Sequence, residues 1–103
     1  MNPQEWIFSD YKVPEGKLLR LEFRLDRQHQ VLCAMRLHGD FFLHPEEAQE
    51  WVEETLAACP LNEVETRLER LFRERSIEAY GFCPKDIRTA IDKALEQKGR
   101  PLS

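Results

Sequence analysis

His38-Gly39-Asp40-Phe41-Phe42-Leu43-His44-Pro45-Glu46-Glu47 divides the chain into two halves of different periodicity. Before it, apolar residues recur at every second position, the period of a half-buried strand; after it, they recur at every third or fourth, the period of a helix. Gly39 supplies a turn. Phe41 and Phe42 are neighbours, so in an extended segment they point to opposite sides, one toward a core and one outward. Pro45 suits a first helical position, where its missing N–H has no partner to lose. Glu46 and Glu47 favour the positive end of a helix dipole. These features predict an α+β fold: a small antiparallel sheet of two to three strands, with about three helices packed on one face.

Working back from this stretch, Gln30 to His38 alternates, with Val31, Cys33, Met35 and Leu37 expected on the buried side. Leu18 to Asp26 alternates as well, placing Leu19, Leu21, Phe23 and Leu25 inward. The short polar link Arg27-Gln28-His29 makes the two segments an antiparallel hairpin. Phe41-Phe42-Leu43 reads as a third short strand or an extended linker. Pro14-Glu15-Gly16 is a turn, because proline presets one torsion and glycine permits positive φ. Residues 1–11 carry Trp6, Ile7, Phe8 and Tyr11, so this aromatic segment either folds back or meets a partner.

Working forward, a helix is expected from about Pro45 to Cys59, with Ala48, Trp51, Val52 and Leu56 on one face and His44 placed to cap it. Pro60 stops it. Asn62 followed by Glu65 has capping-box-like spacing, and a second helix should reach about Arg75, with Val64, Leu68, Leu71 and Phe72 inward. Ser76 to Cys83 reads as a connection. Pro84-Lys85-Asp86 opens a third helix with Ile87, Ala90, Ile91, Ala94 and Leu95 inward, ended by Gly99 and Pro101. The division expected is an N-terminal segment 1–11, one domain over 12–98, and a tail over 99–103.

The 103 residues are 42% hydrophobic and carry a net charge of −4. That balance argues against nucleic acid as a partner, since phosphate backbones call for concentrated positive charge. No run approaches the ~18 apolar residues of a membrane helix, and no signal-peptide pattern opens the chain, so the expectation is a cytoplasmic protein off the membrane. Five glutamates lie between Glu46 and Glu54 and four arginines between Arg67 and Arg75. They are expected as two solvated helix faces paired with each other. Cys33, Cys59 and Cys83 form no Cys-x-x-Cys pair. Cys33 with His38 and His44 matches no compact ligand spacing, so no metal is expected, although a metal-responsive regulator built on those three is the outlying alternative. No serine lies in a nucleophile elbow, and Cys83 before Pro84 is expected as a helix-cap position, so no catalytic residue is assigned. Lys17 stands out: Gly16 lets backbone approach closely, and a lysine at a strand start is a mobile cation suited to phosphate. By spacing alone it is an ordinary exposed lysine, since no P-loop is present.

Taken together, Lys12-Val13-Pro14-Glu15-Gly16-Lys17, followed by Gly39-Asp40-Phe41-Phe42-Leu43-His44-Pro45-Glu46-Glu47, resembles the C-terminal accessory domain of lipoate–protein ligase. That domain typically carries Lys-x-Pro-Gly-Gly-Lys, two alternating strands, Gly-Asp-Phe-Phe, and a helix opened by Pro-Glu. Pro84-Lys85-Asp86 matches its later Pro-Glu-Asp turn, and Trp6 is similar to the aromatic link that precedes the domain in one-chain ligases. The resemblance spans Lys12 to Leu95.

The resemblance implies a non-catalytic accessory subunit of a two-chain ligase, needed for ATP-dependent activation of lipoate to lipoyl-AMP on a separate catalytic chain. No activity is expected of the chain alone. No cofactor is bound alone; ATP, lipoate and magnesium belong to the complex. By carry-over, Lys17, Gly16 and Lys12 lie near the adenylate or its phosphates. Asp40, Phe41 and Phe42, with Trp6 and Phe8, face the catalytic chain, and a lipoyl acceptor protein is an indirect partner. Without that chain, the aromatic N-terminus is a route to a homodimer. Glu15 replaces the usual first glycine of the pair, which favours an alternative: a stand-alone interaction module of the same fold that binds a lipoyl carrier protein.

Overall fold

The computed structural model describes residues 6–99. In chain order the elements are β1 (Trp6–Lys12), β2 (Leu18–Asp26), β3 (Val31–Gly39), β4 (Phe42–His44), α1 (Ala48–Leu56), β5 (Cys59–Pro60), a short 3-10 turn (Leu61–Glu63), α2 (Val64–Glu74), β6 (Glu78–Tyr80) and α3 (Pro84–Gly99). The fold is α+β. Its antiparallel sheet runs β1-β2-β3-β5, and a separate ribbon pairs β4 with β6. The sheet therefore has one strand more than the two to three expected, because the aromatic segment from Trp6 folds back along β2 and Cys59–Pro60 adds to the far side of β3. Residues 1–5 and the tail from residue 100 lie outside the described residues.

β2 follows its alternation: Leu19, Leu21, Phe23 and Leu25 are all buried. β3 does not. Arg24 pairs with Ala34 but Leu25 pairs with Leu32, so Cys33 is an extra residue in the ladder. A bulge of this kind inverts which side chains face the core. Met35 and Leu37 point inward as expected, but beyond the bulge Leu32 is buried, while Val31 and Cys33 are half-exposed. The hairpin closes through Asp26, whose carboxylate accepts the backbone N–H groups of Gln28 and His29 and contacts His29 Nδ1 at 2.8 Å.

All three helices pack on one face. α1 lies against β3, α3 against β1 and β2, and α2 joins the other two helices. Ala48, Val52, Leu56, Val64, Leu68, Ile87, Ala90 and Ile91 are buried between them and the sheet. Ser9 is the buried polar residue among those described, and its hydroxyl donates to the Ala90 carbonyl at 2.9 Å, tying β1 to α3. Two side chains of α1 cover the β3 edge that short β5 leaves open. Gln49 donates to the Leu37 carbonyl at 2.7 Å, and Glu53 accepts the Leu37 N–H at 2.8 Å. An edge capped in this way is shielded from pairing with another chain.

Several boundaries differ from expectation. α1 begins at Ala48, not Pro45, because His44 is still paired in β4; Pro45 to Glu47 make a turn, with the Ala48 N–H on the Pro45 carbonyl at 2.9 Å. His44 is thus a strand residue, and no side chain caps α1. α1 ends at Leu56, and Cys59 and Pro60 belong to β5. Asn62 lies inside the 3-10 turn and caps nothing; the chain there is tied to the hairpin by the Leu61 N–H on the Gln30 carbonyl at 2.9 Å. The acidic and basic stretches do not pair with each other among the described residues. Arg67 pairs with Glu63 at 2.9 Å, and the Arg75 guanidinium lies 4.6 Å over the Trp51 ring. Ser76 to Cys83 is not a plain connection, since it contains β6.

Candidate functional site

The turn between β1 and β2 is built by its own backbone. The Gly16 N–H reaches the Val13 carbonyl at 2.8 Å, and the Val13 N–H reaches the Lys17 carbonyl at 3.1 Å. Glu15 takes the left-handed conformation with φ of 58°. That region suits glycine, and a residue that carries a Cβ enters it at a cost of roughly 1–2 kcal/mol. Lys12 folds over the turn and donates from Nζ to the Gly16 carbonyl at 2.6 Å and to the Val13 carbonyl at 3.4 Å. Lys12 therefore closes the turn, and Lys17 is left as the cation that projects from it. Among the described residues, Lys17 takes part in no ion pair.

Gly81 brings the second half of the site to this turn. Its carbonyl accepts the Lys17 N–H at 3.1 Å. A Cβ on Gly16 would lie 2.6 Å from the same carbonyl oxygen. A Cβ on Gly81, whose φ is 114°, would lie 2.9 Å from Lys17 Cγ and 3.3 Å from Phe41 Cβ. Both glycines are therefore required by close approach. Phe41 meets Phe82 edge-on, with centroids 5.0 Å apart and rings at 78°, the favoured geometry for aromatic pairs. From the other side the Asp40 N–H bonds the Leu18 carbonyl at 3.2 Å. Gly39, with φ of 140°, passes so close to that carbonyl that a Cβ would collide with it. Thus Gly16, Lys17, Asp40 and Phe41 form one corner with Gly81 and Phe82.

Phe42 sits on the ribbon beside this corner. It pairs with Tyr80 across β4 and β6, and both are open to solvent, at 74% and 56% exposure. Leu43 and Ala79, on the opposite side of the ribbon, pack against the core. Phe41 and Phe42 therefore divide as neighbours in an extended segment should, one half-buried and one outward.

The remaining candidate residues lie elsewhere. Trp6 and Phe8 project from the sheet face opposite the helices, where Trp6 is flanked by the guanidiniums of Arg24 and Arg36 at 4.7 and 4.8 Å. Trp6 is six residues up β1 from Lys12, roughly 20 Å along an extended strand. The structure does not bring Trp6 or Phe8 to the corner. The histidines are dispersed: His29 contacts Asp26, His38 Nε2 contacts Glu22 at 3.0 Å, and His44 lies in β4. Among the described residues, no three His, Cys, Asp or Glu side chains gather as a metal site. Cys83 donates its backbone N–H to Asp86 at 2.8 Å, and burial together with the Asp86 hydrogen bond pushes its thiol above the ordinary value. Burial pushes Cys59 the same way. Neither cysteine has the depressed pKa of an activated nucleophile.

The corner thus offers binding chemistry: a free cation on a backbone locked in two directions, beside an exposed aromatic shelf. Sequence reasoning found Gly16, Lys17, Asp40, Phe41 and Phe42. It missed Tyr80, Gly81 and Phe82, although an aromatic on each side of a glycine just before the Pro84 helix start was a usable signal.

No helix among the described residues is long and apolar enough to cross a membrane. No family model matches the sequence, and no curated protein matches it. A solved structure does: a chain from the archaeal lipoylation system of Thermoplasma acidophilum, a bi-partite lipoate protein ligase and its E2 lipoyl domain. The two are 21% identical with a TM-score of 0.71, over 84% of this chain and 94% of that one. At that identity the similarity is one of fold, and it covers most of this chain and nearly the whole of the other.

Proposed function

We propose that this chain is a non-catalytic accessory subunit of a lipoate–protein ligase. A separate catalytic chain holds lipoate, ATP and magnesium and forms lipoyl-AMP; this chain is needed for that step. The observation that carries the reading is the contact between the Gly16-Lys17 turn and the Asp40-Phe41 edge through Gly81. Two stretches that suggested the resemblance separately form one rigid corner, in a fold shared with a component of a two-part ligase system.

The chemistry follows from charge. The lipoate carboxylate attacks the α-phosphorus of ATP, forms the mixed anhydride, and expels pyrophosphate. Negative charge builds on the phosphate oxygens as the bond breaks. A cation whose backbone is already fixed stabilises that charge with little reorganisation. Lys17 is assigned this role, Gly16 the close approach, and Lys12 the support of the turn. A cap seated over the site also keeps water from the anhydride.

The test is pyrophosphate release from lipoate, ATP and magnesium by the cognate catalytic chain, with and without this chain. Stimulation is expected, with no release by this chain alone. Lys17→Ala should lower the stimulated rate roughly 10- to 100-fold and leave lipoyl transfer from preformed lipoyl-AMP nearly unchanged. An unaffected adenylation rate would remove Lys17 from the mechanism.

Glu15 favours a second reading, a stand-alone module that binds a lipoyl carrier protein, because it places a carboxylate two residues from the lysine. Recovery of a carrier protein without any ligase in a pull-down would select that reading. In the absence of a partner, two copies would associate through the N-terminal segment, where Phe8 is 67% exposed on the outer sheet face; sedimentation analysis of the isolated chain tests this.

A further inference from the structure

The ribbon of β4 and β6 has two unlike faces. Leu43 and Ala79 pack on the core, while Phe42, His44, Glu78 and Tyr80 face solvent. Among the described residues three large apolar side chains are strongly exposed, and two of them, Phe42 and Tyr80, are direct cross-strand partners here. Tyr80 is further oriented by its hydroxyl, which donates to Glu78 at 3.3 Å. Phe41, next to Phe42 in the chain, contacts Phe82, and the Gly81 carbonyl links the end of β6 to Lys17. An exposed cross-strand aromatic pair offers large contact area with few side-chain torsions to fix on burial, which suits an interface anchor.

The exposed charges around the pair are acidic on balance. Glu78 lies on the same ribbon face, Asp40 precedes the Phe pair, and Glu15 stands at the tip of the adjoining turn, all exposed. Against them stand Lys12, whose Nζ is bonded to the carbonyls of that turn, and Lys17, the cation that projects from it. A cleft that consumes ATP has to neutralise a polyphosphate, and a mouth lined with positive charge draws one in. An acidic rim around an apolar pair complements such a mouth, and the lysine it surrounds would enter with the rim.

We infer that the outward face of the β4–β6 ribbon is the docking face for the catalytic chain, with Phe42 and Tyr80 as its apolar anchor and Glu15, Asp40 and Glu78 opposing a basic collar at the mouth of the ATP cleft. This rests on the accessory-subunit reading and adds to it the residues that seat the cap. It also divides labour: the ribbon sets how tightly the chains associate, and Lys17 sets how fast the bound complex adenylates.

The experiment titrates the cognate catalytic chain with this chain, measuring the complex by calorimetry and pyrophosphate release at each concentration. Tyr80→Ala and Phe42→Ala should each raise the dissociation constant about 30-fold and leave the rate at saturation within twofold. Lys17→Ala should do the reverse. Glu78→Lys should weaken the complex about tenfold at low salt and flatten its salt dependence. Unchanged thermal melting of each variant confirms the fold. Tyr80→Ala and Phe42→Ala complexes as tight as the parent, with Lys17→Ala still slow, would overturn the docking face and leave the accessory role standing. Tighter or unchanged binding by Glu78→Lys would overturn the basic collar. A parent chain that neither binds nor stimulates the catalytic chain would overturn the accessory role, and the docking face with it.

Discussion

The Gly81 carbonyl accepts the Lys17 N–H at 3.1 Å while lying where a Cβ on Gly16 would have to go, 2.6 Å from that position. One carbonyl therefore both anchors the lysine and excludes every side chain from its neighbour. The consequence is that damage to the corner and loss of the cation can be separated. Gly16→Ala should push the β1–β2 turn away from Gly81 and cost roughly 1–3 kcal/mol of stability, the usual range for an intruding methyl in a packed site. Lys17→Ala removes an exposed side chain that forms no ion pair among the described residues, so it should stay within about 0.5 kcal/mol of the parent. Urea denaturation of both variants measures this difference directly. Equal stability losses would mean that Lys17 has a structural duty.

Glu15 gives the second prediction. Its φ of 58° is a conformation that glycine adopts freely, and the resemblance has glycine at this position. Glu15→Gly relieves the left-handed strain of about 1–2 kcal/mol but gives the unfolded chain more freedom, worth about 0.5–1 kcal/mol. The net expectation is a variant as stable as the parent or better by up to about 1.5 kcal/mol. Glu15→Ala keeps the strain and should gain nothing. If the accessory reading holds, Glu15→Gly should also raise the saturated adenylation rate, since it removes a carboxylate beside Lys17. A fall in stability on Glu15→Gly would show that the carboxylate makes a compensating interaction in the turn.

The two halves of the site differed in how plainly the sequence displayed them, and β3 and β6 explain why. Alternation in β2 is unbroken from Leu19 to Leu25, so its buried face could be read directly. The same reading along β3 is correct at Met35 and Leu37 and fails at Val31 and Cys33, because the extra residue at Cys33 reverses the phase. A single bulge leaves no distinctive residue behind it, and Val, Leu and Cys are all acceptable on either side. β6 failed for another reason. Three residues are too few to show a period, and the strand exists by pairing with β4, which comes far earlier in the chain. Gly16, Lys17 and the two phenylalanines were legible because their chemistry is local. Tyr80 acquires its meaning from Phe42 across the ribbon.

The bulge makes a third prediction about the core. Leu32→Ala should cost roughly 2–5 kcal/mol, as for a fully buried leucine whose cavity does not collapse. Cys33→Ala, at the half-exposed extra position, should stay below about 1 kcal/mol. Strict alternation from Met35 would order the two the other way. Chemical denaturation of the pair decides between the two phases with no need for a partner or ligand.

The hairpin at Asp26 gives the last prediction, in pH. The His29 ring bond, then the backbone N–H of His29, hold the Asp26 carboxyl below its ordinary value of 3.8. A carboxyl depressed in the folded state binds fewer protons there than in the unfolded chain, so its contribution is present above the unfolded value and is lost as pH falls through the folded one. Asp26→Asn removes that proton linkage while keeping an oxygen for the backbone N–H groups. The parent should therefore exceed the variant at about pH 5. The margin should shrink once pH drops below 3.8 and close beneath the lowered folded value. Thermal melting of parent and variant across the acid range follows the margin. A gap that persisted or widened toward low pH would mean that the carboxyl is not stabilised in its charged form, and that the turn is held by its backbone alone.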